Sequence, residues 1–359
     1  MSDDTTAELS TDPGDGRHIT PGLGLLTGEG SQQRIETTTE GFPSQTFVWR
    51  DLPSHSFSEE DPTYYDRPVL KEPVWIWTVP LYFYVGGTAG AAAMLAAAAQ
   101  ALGGGRMPGL VKKARWVAAV GGAMGSALLI TDLGRPERFL HMLRVFRPTS
   151  PMSVGSWVLA GAASATAGSA LLADKEGALG LLGDAAGYGA ALLGMPLAGY
   201  TAVLLGNTAV PLWHSSRRTL PHLFIGSAVS GAASLFDLLP LQPEERKVVE
   251  RFGIAGKVID LAAMAAIERE TNQAAEPVGR PLRDGVSGAL WNGAKAMTAA
   301  SLALSLLPGR SRVKRLAIGV LGTAGAVALR FAVFHAGKAS ARDPRATFRS
   351  QRKKTGPTP

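Results

Sequence analysis

The sequence predicts an all-α integral membrane protein: eight transmembrane helices arranged as two four-helix units, behind a largely irregular N-terminal extension. Three observations carry this. Of 359 residues, 46% are hydrophobic and only 18% charged, below the roughly one quarter usual in soluble domains. The apolar residues gather into runs of the length a bilayer core requires, about 20 per helix. Charge is also segregated: residues 1–70 hold 13 Asp/Glu against 4 Lys/Arg, and the remainder 16 against 32.

The extension comes first. Pro, Gly, Thr, Asp and Glu dominate up to about residue 45, and no charged-then-apolar signal-peptide pattern precedes them. Residues 42–75, "FPSQTFVWRDLPSHSFSEEDPTYYDRPVLKEPVW", add aromatics at turn-rich spacing. Such a segment drapes over a partner more readily than it builds a core. Residues 1–70 are therefore read as an acidic extension contacting a partner subunit, 71–336 as the eight-helix domain, and 337–359 as a basic tail.

The apolar runs fall at 75–101, 110–131, 152–173, 184–208, 221–239, 249–268, 285–307 and 314–336. The sixth carries Lys257 and Asp260, three apart and so on one helix face, where they suit an ion pair. Small residues recur four apart (Gly86 with Gly90, Gly121 with Gly125, Gly161 with Ala165), which lets membrane helices approach closely. "PLYFYVGGTAGAA" in the first run echoes "PHLFIGSAVSGAA" in the fifth, which suggests a duplicated four-helix unit. Eight spans put both termini on one side, here side A.

The chain has no cysteine, which excludes disulfides, Cys-ligated zinc and Cys-ligated iron–sulfur clusters within it. A di-haem anchor needs His pairs deep in its helices, and none of the six histidines falls in mid-span, so no haem is expected. His141, His214, His222 and His335 all fall toward side A. His titrates near neutrality, making that side the expected face for proton-coupled chemistry. Loop solvation is the competing reading for each one.

Between the second and third spans lies "DLGRPERFLHMLRVFRPTSPMSVGSW", residues 132–157. Gly134 permits a sharp turn after Asp132, and Pro136 suits the first turn of a short following helix. Residues Glu137–Phe146 then form an amphipathic interfacial segment. Within the spans, Asp237, Lys257, Asp260, Lys295 and Arg330 are costly in hydrocarbon and are functional candidates by default. They suit a proton route toward side B, or equally an ion-pair network that fixes helix packing.

The 132–157 stretch closely resembles the loop after the second span in the NrfD/PsrC family, the membrane subunits of polysulfide, nitrite, formate and related iron–sulfur molybdoenzyme complexes. Further resemblance lies in "WTVPLYFYVGGTAGA", "GMPLAGYTAVLLGNTAVPLWHSSRRTLPHLFIGSAVSGA" and "FAVFHAGKASARDP", so it extends from about residue 75 to 344. The resemblance implies a membrane anchor in the bacterial inner membrane that binds menaquinone or ubiquinone and holds no redox centre of its own. Electrons would pass to or from a ferredoxin-like iron–sulfur subunit, with a molybdenum- or tungsten-containing or other catalytic subunit beyond.

On that basis Asp132, Arg135, His141 and Arg144 would wall a quinone pocket or meet the cluster subunit, with lipid-headgroup contact as the plainer alternative. Tyr200 falls in a family motif implicated in quinone binding, and a phenol suits a quinone carbonyl. Trp75 and Tyr82 fall on the same side, where an aromatic belt would also place them. Lys and Arg near the spans favour side A, 18 against 12, which points to the cytoplasm. The basic tail reads as membrane lipid contact rather than nucleic-acid binding. A secondary transporter and a passive anchor without quinone chemistry are the alternatives.

Overall fold

The computed structural model describes residues 17–20, 25–28 and 68–352, apart from Gly104, Gly134 and Arg310. The expected turn at Gly134 and most of the extension's expected partner contacts lie outside the described residues. Two compact units are present, residues 1–59 and 60–359. In the first, β1 (Arg17–Thr20) pairs antiparallel with β2 (Leu25–Gly28).

The second unit is helical. Eight long helices occupy the eight apolar stretches: α1 (Thr78–Gly103), α2 (Pro108–Asp132), α3 (Pro151–Leu171), α4 (Gly177–Gly206), α5 (Leu220–Asp237), α6 (Pro243–Ala274), α7 (Gly285–Leu306) and α8 (Arg312–Arg342). Proline at the first helical turn starts α2, α3 and α6, where its missing N–H costs nothing. The Ser150 side chain caps α3 and the Ser311 side chain caps α8.

Three boundaries move from expectation. Helix α4 starts at Gly177, because "GALGLLG" reads as loop by its glycines yet is apolar enough to continue the span. Helix α6 outgrows 249–268 at both ends, where charged residues propagate a helix beyond its apolar middle. Helix α8 continues past residue 336 to Arg342, and a further helix, Pro344–Arg352, follows. The expected start of the tail thus lies inside α8.

Helices α1, α2, α3, α4 and α8 are long and apolar enough to cross a membrane. Helices α5 to α7 fall short of that apolar character. Helix α5 is 18 residues long and includes His222, Asp237 and three serines. Helix α6 is charged at its ends, and α7 carries Asn292, Lys295 and three serines.

The packing repeats. Helix α1 packs on α2 and α4, and α3 bridges α2 to α4; α5 packs likewise on α6 and α8, with α7 between those two. Helices α1 and α5 join the halves. The small-residue pairs mark the tight contacts: a side chain on Gly90 would strike the Gly194 backbone of α4, and one on Gly121 would meet Ala89 of α1. Side A is assembled from the start of α1, the ends of α2, α4 and α8, and the link before α5. Ile76 N donates to Asp132 Oδ1 at 3.2 Å, Trp75 stacks on Trp213, and Glu72 binds Arg342. Side B ties Leu110 N to Glu245 at 2.7 Å and Lys112 to Asp174 at 2.6 Å.

Candidate functional site

A partly enclosed cavity of about 210 Å³ opens at the side-A end of the first four helices. Its lining is mostly apolar, with Val79, Phe83, Leu129 and Leu159 among the walls, and two phenols stand in it. Tyr82 of α1 is 2% exposed, and its hydroxyl shares a hydrogen bond with that of Tyr200 of α4.

Glycines hold the two rings in place. A methyl group on Gly86 or Gly125 would lie 3.1 or 3.3 Å from the Tyr82 ring. A side chain on Gly155 of α3 would run into the Tyr200 ring. Protein interiors are packed too densely to absorb such an addition without a shift.

Four sequence-predicted residues meet at this cavity: Trp75, Tyr82, Asp132 and Tyr200. Trp75 closes one side and stacks on the buried Trp213, ring centroids 6.3 Å apart. Asp132, at the end of α2, holds the backbone of Ile76 and so ties the rim of α1 to that of α2.

The charged loop does something different. Pro136–Leu143 forms a 3-10 helix, whose three-residue turn stacks i and i+3 on one face. Phe139 and Met142, three apart, line the cavity together with Leu143. Arg135, Arg138, His141 and Arg144 follow one another at intervals of three on a separate stripe, and all four are exposed. The segment therefore roofs the cavity with its apolar face and turns its cations outward. Amphipathicity alone does not say which face of Glu137–Phe146 turns inward, so the sequence did not single out Phe139 and Met142.

The charges expected within the spans lie in the other half. Lys257 and Asp260 share a face of α6 but form no ion pair: the Lys257 ammonium donates to Ser305 Oγ at 3.0 Å, and neither Asp260 oxygen has a hydrogen-bond partner among the described residues. Arg330, 1% exposed, donates to the Phe224 carbonyl at 2.7 Å and stacks 3.9 Å over that ring. Phe224 packs on Phe83, so two rings separate Arg330 from the cavity. Lys295 pairs with Glu268, a residue overlooked because the apolar run was ended there. Asp237 is the half-buried last residue of α5.

Side B holds a site that the sequence did not disclose. Arg115, 5% exposed, donates to Gln100 Oε1 at 2.6 Å and Asp184 Oδ1 at 2.7 Å. In the sequence it counted only as one of the 12 Lys and Arg near the side-B ends of the spans.

Outside the helices, Glu72 binds Arg342 at 2.5 Å and Lys338 at 3.1 Å. Burial pushes its carboxyl pKa up, but the hydrogen bonds and charges of Arg342 and Lys338 outweigh this and hold it below the usual 4.5. Lys338 also donates to the Trp75 carbonyl at 3.3 Å, so this ion pair secures one wall of the cavity.

Among the described residues, no group of three or more His, Cys, Asp or Glu is placed to hold a metal ion. Comparison with curated proteins finds no match. Residues 68–340 match the family profile described as polysulphide reductase, NrfD. That stretch takes in the cavity, its roof, the first seven long helices and α8 up to residue 340, and the chain is a multi-pass membrane protein belonging to the NrfD family.

Proposed function

We propose that this chain is the quinone-reactive membrane subunit of a multi-subunit oxidoreductase, exchanging electrons between a membrane quinone and an iron–sulfur partner. The paired phenols of Tyr82 and Tyr200 in an apolar cavity carry the reading. A bound quinone, menaquinone or ubiquinone, supplies two-electron, two-proton redox chemistry. The apolar walls suit its ring, and the phenols offer one hydroxyl proton not committed to their mutual bond. That proton is available to a carbonyl oxygen at the cavity. Phe139 and Met142 exclude water from above. Arg135, Arg138, His141 and Arg144, facing outward beside the roof, offer an acidic partner a docking stripe.

In this reading all eight long helices cross the membrane, and side A carries both termini and the partner in the cytoplasm. The partner is a ferredoxin-like subunit, with a molybdenum, tungsten or other catalytic subunit beyond it. The charges Asp237, Lys257, Asp260, Lys295 and Arg330 are then candidates for proton movement toward side B. Gentle detergent purification tests the reading. A co-purifying iron–sulfur subunit, reducible by added quinol, is expected. A chain that purifies alone and holds no quinone would instead fit a transporter or a passive anchor.

A further inference from the structure

The second four-helix unit has its own hollow at side A. The first cavity sits between the end of α2, the linking segment and the start of α3. Its counterpart sits between the end of α6, the link 275–284 and α7, with a volume of about 200 Å³. Its lining is polar where the first is apolar: Glu268, Asn272, Arg283, Asn292 and Lys295 all face it.

The charges do not cancel. Glu268 accepts from both Lys295 and Trp291 Nε1, so its carboxylate is matched by one ammonium. Arg283 has no carboxylate partner among the described residues, and its Nη2 donates to Asn272 Oδ1. The Asn292 amide has no hydrogen bond there either. One uncompensated guanidinium and two amides thus converge on a concave site. Planar guanidinium and amide donors suit the oxygens of a phosphate.

Depth points to the source of that phosphate. The cavity lies at the last turns of α6 and the first turns of α7, where a bilayer places its headgroups. Farther into α6, Val258 and Ile259 are 50% and 44% exposed and offer apolar surface to acyl chains. We propose that this cavity binds the headgroup phosphate of an anionic phospholipid. The assignment rests on the bilayer placement and not on quinone chemistry.

The test uses the full chain in mild detergent, as wild type, Arg283→Gln and Asn292→Leu. Arg283 and Asn292 are exposed, so both variants should fold. Thermal stability is measured with added phosphatidylglycerol, phosphatidylcholine or inorganic phosphate, and co-purifying lipid by mass spectrometry. Phosphatidylglycerol alone should stabilise the wild type. Its retention should fall roughly tenfold or more in Arg283→Gln, the scale for losing one charge-assisted hydrogen bond, while quinone-linked turnover stays unchanged. Equal retention in wild type and both variants would overturn the assignment. So would an equal shift with inorganic phosphate, which would mark a soluble anion, or with phosphatidylcholine, which would mark general lipid solvation.

Discussion

The two four-helix units share one pattern of helix neighbours and differ in what fills them. Gly90 of α1 meets Gly194 of α4, and in the second unit Gly231 of α5 meets Ala326 of α8 at the same crossing. Counting from these contacts, Tyr82 corresponds to Leu223 and Tyr200 to Ala332, both fully buried. The second unit therefore has no phenol pair, and its hollow at side A is lined by polar residues. It carries Lys257, Asp260 and Arg330 in its interior instead. One backbone plan supports an apolar, phenol-bearing cavity in one copy and a charged core in the other, so function here follows side chains rather than fold.

The largest effect is expected where that contrast is sharpest. Arg330 and Asp260 are opposite charges buried across the α6–α8 interior, at 1% and 0% exposure. Arg330→Ala empties the buried volume that the guanidinium fills over Phe224 and removes its hydrogen bond to the Phe224 carbonyl, a large-to-small core change that costs about 2–5 kcal/mol in comparable sites. Thermal unfolding in detergent should show it as a large loss of stability. The double change Arg330→Met with Asp260→Leu should recover much of that loss, because Met refills the volume and Leu removes a buried carboxyl that has no hydrogen-bond partner among the described residues. If the double variant keeps quinone-linked turnover but loses proton movement, the second unit conducts protons. If it loses neither, the charges serve packing alone.

Gly155→Ala probes the first unit in the opposite way, by filling it. The added methyl would strike the Tyr200 ring. Overpacking of this kind costs about 1–3 kcal/mol, and the ring must swing away from Tyr82. Turnover with quinol should fall further than in Tyr200→Phe, which deletes a hydroxyl without moving the ring. A Gly155→Ala protein with wild-type quinone kinetics would show that the cavity is not the site of reaction.

These glycines explain how much could be read in advance. Eight apolar runs, the small-residue spacing and the internal echo were legible, because membrane helices need both length and close approach. Trp75, Tyr82, Asp132 and Tyr200 were legible as candidates because chain order brings all four toward side A. Which residues of the 132–157 loop face inward was not legible, since an amphipathic segment does not itself say which face meets the cavity. Nor was the burial of Arg115: only the fold shows that Asp184, 69 residues away, lies opposite it. The pairing of Lys257 with Ser305 rather than Asp260 likewise depends on where α7 sits.

A smaller effect separates the phenols from the roof. Tyr82→Phe and Tyr200→Phe each remove the hydrogen bond between the two rings, a loss of about 0.5–1.5 kcal/mol. Each should slow quinol-linked turnover several-fold, and the double variant should add little, because the two share one bond. His141→Ala, on the exposed stripe, should alter partner affinity and its salt dependence more than turnover. If His141→Ala slowed single-turnover chemistry as much as either phenol change, the division between apolar roof and outward cations would fail.

The smallest effect lies at the rim, where Glu72 ties the start of α1 to the end of α8. Its carboxyl titrates below 4.5 because Arg342 and Lys338 outweigh burial. A pKa lowered on folding gives stability that is fully present above the unfolded value and is lost as pH falls through the folded one. The tie should therefore hold at neutral pH and loosen only below about 4.5. Being partly solvent-exposed, it is worth about 0–1 kcal/mol and is weakened by salt. Trp75 reports on it, because Lys338 holds the Trp75 carbonyl while bound to Glu72. The Trp75 contribution to fluorescence, isolated by subtracting a Trp75→Phe variant, should shift on acidification in wild type. In Glu72→Gln it should already be shifted at neutral pH and stay flat with pH. A second unit left unchanged by this substitution would show that the rim belongs to the first cavity. A matching shift in unfolding of α5 to α7 would mean that the α8 end couples the two halves.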